Sequence, residues 1–136
     1  MTQAPDANES RYARGQRALS RIDGQAGAAV VAALADIAPD FARYLIGFPF
    51  GDIYHRPGLD LRSREIATIA ALAALGNAQP QLKVHIAAGL NVGLTRTEIV
   101  EILMQMAVYA GFPAALNGLF AAKEVFERAA EAESRT

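Results

Sequence analysis

The stretch DLRSREIATIAALAALGN, residues 60 to 77, decides the fold. It begins with Asp60, a residue type that starts helices by accepting a hydrogen bond from a first-turn backbone N–H. Beyond Glu65 every residue up to Leu75 is apolar except Thr68. Ile66, Ile69, Leu72 and Ala73 fall on one face at the helical period, and Ala67, Ala70, Ala71 and Ala74 keep the opposite face apolar as well. Gly76 and Asn77 then supply a stop signal. A helix that is apolar all round is expected to be buried all round.

Outward from this segment the same period continues. QPQLKVHIAAGLNVG, residues 79 to 93, reads as the next helix, ended by Gly93. Thr95 and Glu98 stand at capping-box spacing, and Ile99, Leu103, Met106 and Tyr109 follow at helical spacing. A last helix restarts after Pro113. Towards the amino end, Tyr12, Ala18, Leu19 and Ile22 share a side that Gly15 interrupts. QAGAAVVAALADIA forms a short apolar helix, and Pro39 suits the first turn of another. That helix carries Phe41, Tyr44, Leu45 and Phe48, and Pro49 and Gly51 are expected to break or kink it. No segment alternates with period two. The reading is an all-α, single-domain bundle of about six or seven helices over residues 10–131, with loose tails at 1–9 and 132–136.

Composition agrees with this and excludes several function classes. With 52% hydrophobic residues, many of them alanine, and 20% charged, the 136 residues supply ample core. Thirteen basic and fourteen acidic side chains leave a formal charge of −1, with no basic stripe for a nucleic acid. The absence of cysteine removes disulfides, thiol nucleophiles and thiolate metal sites, and two histidines offer little to a closed zinc centre, so no metal is expected. The longest apolar run, around Ile66–Leu75, holds about ten residues, too few to span a membrane. No signal peptide is visible, and a cytoplasmic location is the expectation. The helices at 61–75 and 96–110 are too apolar for a small domain to cover, so part of their surface is expected between subunits of a homo-oligomer.

Few residues are placed to carry chemistry. Glu65 opens an apolar layer. It reads either as a carboxylate held by the helix dipole or a neighbouring arginine, or as an acid or base of the kind apolar layers often tune. His85 reads either as a hydrogen-bonded core imidazole or as a functional group left bare by Ala88 and Gly89 one turn on. Glycine inside a helix costs roughly 1 kcal/mol relative to alanine and needs a reason, for which close packing of a facing helix competes. His55 and Arg56, beside a turn, read as surface residues, although the YHR sequence of Tyr54 to Arg56 also suits the rim of an opening.

Two blocks together, FGDIYHRPGLDLRSREIATIAALAALGN and LKVHIAAGLNVGLTRTEIVEILMQMAVYAGFPAALNGLFAAKEVF, resemble the carboxymuconolactone decarboxylase family. The likeness is closest to its γ-carboxymuconolactone decarboxylase branch and runs from about residue 11 to Glu127. Peroxide-reducing relatives, the alkylhydroperoxidase D-like proteins, carry a CxxC and a histidine. Those cysteine positions fall here at Ala78 and Gln81 and the histidine at His85, so thiol peroxidase chemistry is excluded. The resemblance implies an alkylhydroperoxidase D-like helical fold, a homo-oligomer (trimer or hexamer) with sites near subunit contacts, and cofactor-free loss of CO2 from a lactone bearing two carboxylates. That reaction belongs to the protocatechuate arm of β-ketoadipate catabolism.

Such a reaction needs groups that hold carboxylates, stabilise charge on the lactone carbonyl oxygen and protonate a ring carbon. On this resemblance His85 and Glu65 are the expected catalytic pair. Arg11, Arg62, Arg64, Arg56 and Tyr54 are the expected substrate-binding residues, arginine because its planar fork grips carboxylates in two places. The chain departs from the branch pattern HLRAAxNNGVT, reading HIAAGLNVGLT, so Ala87 replaces an arginine and Val92 an asparagine. An arginine–serine pair common in the branch is here Arg64 and Glu65. Alternatives are therefore another lactone-handling isomerase, lyase or hydrolase on the same scaffold, or a non-catalytic small-molecule-binding protein.

Overall fold

The computed structural model describes residues 9–136. Among these residues the chain forms seven α-helices and one π-helix, with no strand. Contacts divide it into two compact units, one ending at Leu59 and the other spanning Asp60–Thr136.

The first unit contains α1 (Arg11–Asp23), α2 (Ala26–Leu34), α3 (Pro39–Leu45) and the π-helix Ile46–Ile53. The Ser10 side chain caps α1 by accepting from the Ala13 N–H at 3.1 Å. Gly15, Ala18, Leu19 and Ile22 form the buried stripe of α1, so Gly15 belongs to the packed face and does not interrupt it. A Cβ at Gly15 would collide with the Ile46 carbonyl oxygen, and one at Gly51 with the Arg11 carbonyl oxygen. This reciprocal pair of glycines lets α1 and the π-helix cross with their backbones in contact.

Of the expected break or kink at Pro49, a break does not occur: the α-helix gives way to a π-helix at Ile46 and the chain keeps turning. The proline sits inside the π-helix, and the Tyr54 N–H bonds back to the Pro49 carbonyl at 2.8 Å, a five-residue step. Proline has no N–H to donate and its ring crowds the carbonyl four residues earlier; a wider turn accommodates both constraints.

The second unit contains α4 (Leu61–Leu75), α5 (Gln79–Asn91), α6 (Arg96–Ala110) and α7 (Phe112–Ser134). Helix α4 packs on α5 and α6, and α7 packs on all three. Ile69, Leu82, Ile86, Ile99 and Leu103, all fully buried, are the centre of the core. The local signals at the helix ends act as expected. Asp60 accepts from the Ser63 N–H at 2.7 Å, Gly76 closes α4 at φ 76°, and Thr95 and Glu98 form both bonds of a capping box. Helix α7 continues to Ser134, beyond residue 131. No helix among the described residues is long and apolar enough to cross a membrane.

One expectation about burial is not met within the single chain. Of α4 only Glu65, Ile69 and Ala73 are buried, and Leu75 is 65% exposed. Within one chain α4 meets its neighbours along one side: Ile66, Ala70 and Leu72 pack partly buried against the core, and Ala67, Ala71, Ala74 and Leu75 stay exposed. In the first unit Phe41, Tyr44 and Phe48 are likewise exposed, although their spacing is helical.

Candidate active site

Among the described residues, Glu65 is the fully buried charged side chain. It lies five residues into α4, past the first turn, so the dipole of that turn does not account for it. No arginine holds it either. Its Oε2 meets Nδ1 of His85 on α5 at 2.9 Å, and its Oε1 is buried with no partner. The sequence reading of a dipole-held or arginine-paired glutamate is therefore corrected: the partner is the histidine. Leaving a buried acceptor unmatched costs about 1–3 kcal/mol, which packing alone has no reason to retain.

The helical frame fixes this contact. Glu65 shares the buried stripe of α4 with Ile69 and Ala73, and His85 lies between buried Leu82 and Ile86, Ala88 and Gly89. The imidazole keeps 19% of its surface exposed, while the glutamate has none. A carboxylate can only accept, so with Glu65 ionised Nδ1 carries the proton and Nε2 becomes the ring's acceptor. Nε2 has no partner among the described residues. A ring oriented at one nitrogen and available at the other is equipped for general acid–base work.

Of the two readings of Gly89, close packing is the one its surroundings support. A Cβ there would come within 2.9 Å of Leu94 Cδ1 and 3.2 Å of Ile69 Cδ1. The glycine serves close packing under the histidine's helix; it does not uncover the ring.

The expected anion-holding residues fall in both units. In the first, Arg11 pairs with Asp52, which also accepts from Arg14 Nη2 at 3.2 Å. Arg14 Nε donates to the Gly51 carbonyl at 2.7 Å. The hydrogen bond from Arg11 is the main reason the Asp52 carboxyl is held below its ordinary range. Tyr54 stacks on Phe50 with ring centres 5.1 Å apart, and Arg56 is exposed beside it. In the second unit Arg62 pairs with Glu98, whose other oxygen serves the capping box, and half-buried Arg64 follows two residues later.

The structure thus brings Glu65 and His85 together and gives Arg11 and Arg62 carboxylate partners of their own. Asp52 and Arg14 were missed by sequence reasoning, because nothing local ties an aspartate at 52 to an arginine 38 positions earlier. The described residues form no cluster of three or more histidines and carboxylates able to hold a metal ion.

An all-helical scaffold presenting a buried glutamate–histidine pair defines the class, and comparison with known proteins supplies the family. The profile of the Carboxymuconolactone decarboxylase family matches residues 39–124, and the chain belongs to that family. It is 33% identical over 121 residues to 4-carboxymuconolactone decarboxylase of Acinetobacter baylyi, covering 88% of this chain and 90% of that protein. An uncharacterized 15.0 kDa protein from Paracoccus denitrificans is 33% identical over 95 residues, 69% of this chain and 71% of that one. Nitrosuccinic acid decarboxylase npaB of Metarhizium robertsii is 31% identical over 70 residues, 52% and 48% of the respective lengths.

Proposed function

We propose that the protein is a cofactor-free decarboxylase acting on a carboxylated lactone of the γ-carboxymuconolactone type, with His85 as the proton-transfer residue and Glu65 as the group that orients it. The observation that supports this most is the fully buried Glu65 bonded to the His85 imidazole at 2.9 Å. Family membership and two relatives named as decarboxylases support the reaction type.

In the proposed reaction the bond from the ring carbon to the carboxylate breaks and CO2 leaves. The electron pair spreads through the C=C to the lactone carbonyl oxygen and is then taken up by a proton delivered to ring carbon. A conjugated carbonyl already accepts these electrons, so the protein has to bind, orient and protonate. Arg62 and Arg64 stand on the turn of α4 that precedes Glu65, and Arg62, three residues before it, shares its side of the helix. Arg11, Arg56 and Tyr54, in the first unit, are proposed as binding residues on the family resemblance alone. A substrate carboxylate reaches Arg11 or Arg62 by competing with Asp52 or Glu98.

Purified protein given γ-carboxymuconolactone is expected to release CO2 and form the enol-lactone. His85→Ala is expected to lower turnover about 10²–10⁴-fold, the range general acid–base groups supply. Undiminished turnover in that variant removes the histidine from the reaction.

A second reading concerns the substrate. Ala87 stands where the branch carries an arginine, and losing a charged hydrogen bond of about 1.5–3 kcal/mol favours a smaller or less charged acid. A panel of carboxylated lactones and short dicarboxylates separates the two by their kcat/KM values.

Self-association belongs to the same proposal. Phe41, Tyr44 and Phe48 in the first unit, and Val108, Tyr109, Phe112 and Phe120 in the second, are all more than half exposed. Monomers rarely leave this much large apolar surface in water, and a homo-oligomer covers it.

A further inference from the structure

A groove in the second unit, whose lining includes neither His85 nor Glu65, is formed by the amino end of α6 and the middle of α7 and has a volume of about 310 Å³. Its lining joins an apolar floor, including Leu119 and Phe126, to a rim carrying Arg96, Lys123 and Glu127. We propose that this groove is a second binding site, for a free small carboxylic acid with one carboxylate and one apolar ring.

Three observations carry the assignment. The Arg96 guanidinium lies over the Phe126 ring at 5.5 Å. A guanidinium over a ring face is steadied there by cation–π attraction and keeps N–H donors that a carboxylate can accept from. Neither Arg96 nor Lys123 has a carboxylate partner among the described residues, although Arg62, Lys83 and Arg128 of the same unit all do. The rim therefore carries two cations and one anion, a surplus of one positive charge matched by one carboxylate. The volume lies at the small end of ordinary ligand sites, enough for a single substituted ring. A partner helix would need a longer trough. Glu127 is the one group that opposes the ligand, which gives the proposal a distinctive sign.

Phenylacetate and its neutral analogue phenylacetamide, titrated into the full chain and followed by backbone amide NMR, test this. Phenylacetate is expected to shift the amides of Leu119 and Phe126 saturably at millimolar concentration, and phenylacetamide to leave them in place. Arg96→Gln is expected to weaken binding about tenfold, the scale of one charge-assisted bond, and Glu127→Gln to strengthen it several-fold. Both positions are exposed, and unchanged amides elsewhere report an intact fold. His85→Ala is expected to leave the titration as it is, which separates this site from the proposed catalytic one. Equal binding of the neutral amide, no saturation, insensitivity to Arg96→Gln, or loss in His85→Ala each overturns the proposal. So does a groove whose amides shift only as protein concentration rises, which would mark a contact between copies.

Discussion

At Glu65 the proposed function and stability can be tested apart. Its carboxyl is removed from water entirely and one of its oxygens bonds to nothing. Replacing a buried charged group by an apolar one of similar volume is often neutral or stabilising, because desolvation outweighs what the partner returns. Glu65→Met is therefore expected to leave the thermal midpoint unchanged or higher while decarboxylation falls about 10²-fold or more. His85 keeps some exposure, so its Nδ1 can turn to water in the variant. Calorimetry and a CO2-release assay on one preparation check both halves. A parallel fall in midpoint and activity would make the pair structural. Sequence alone singled out both residues but left two readings open for each, a held carboxylate or a catalytic partner for Glu65 and packing or an uncovered ring for Gly89, and the choice depends on a helix 20 residues away.

At the scale of elements, ends were legible and interiors less so. Caps are local chemistry: Thr95 and Glu98 exchange hydrogen bonds across three residues, and both bonds form. Thr95→Ala is expected to cost about 1 kcal/mol, read as a lower denaturant midpoint with an unchanged slope. The π-helix is a different matter. Pro49 announced a disturbance, but whether the chain breaks or widens depends on what holds the turn, here Gly51 against α1 and Arg14 on the Gly51 carbonyl. Gly15→Ala places a methyl group against the Ile46 backbone, which cannot swing aside as a flexible side chain would. That variant is expected to lose at least about 1–3 kcal/mol, the range for overpacking, and urea unfolding measures it.

For the whole molecule, charge placement predicts a one-sided dependence on pH. The Arg11 hydrogen bond lowers the Asp52 carboxyl, the Ser63 backbone N–H lowers Asp60, and the Lys83 hydrogen bond lowers Glu124. A carboxyl depressed in the folded state binds its proton more readily when unfolded. Its stabilising contribution is therefore full above the unfolded value near ~4 and is lost as pH falls through the lower folded value. Thermal midpoints are expected to hold steady from about pH 8 to 5 and to drop below about pH 4, and Asp52→Asn is expected to flatten part of that drop. A midpoint that rises on acidification would contradict the assignment.

The sequence by itself determined that this chain is helical, where most helices begin and end, and which family it resembles, because period, caps and motif order are written within a few consecutive residues. Only the tertiary structure decided that Glu65 faces His85, that Arg11 and Arg62 are held by Asp52 and Glu98, and that apolar helices keep one side in the open. Those facts arise where distant helices meet, and a contact between helices is set by packing geometry that no short stretch of sequence contains.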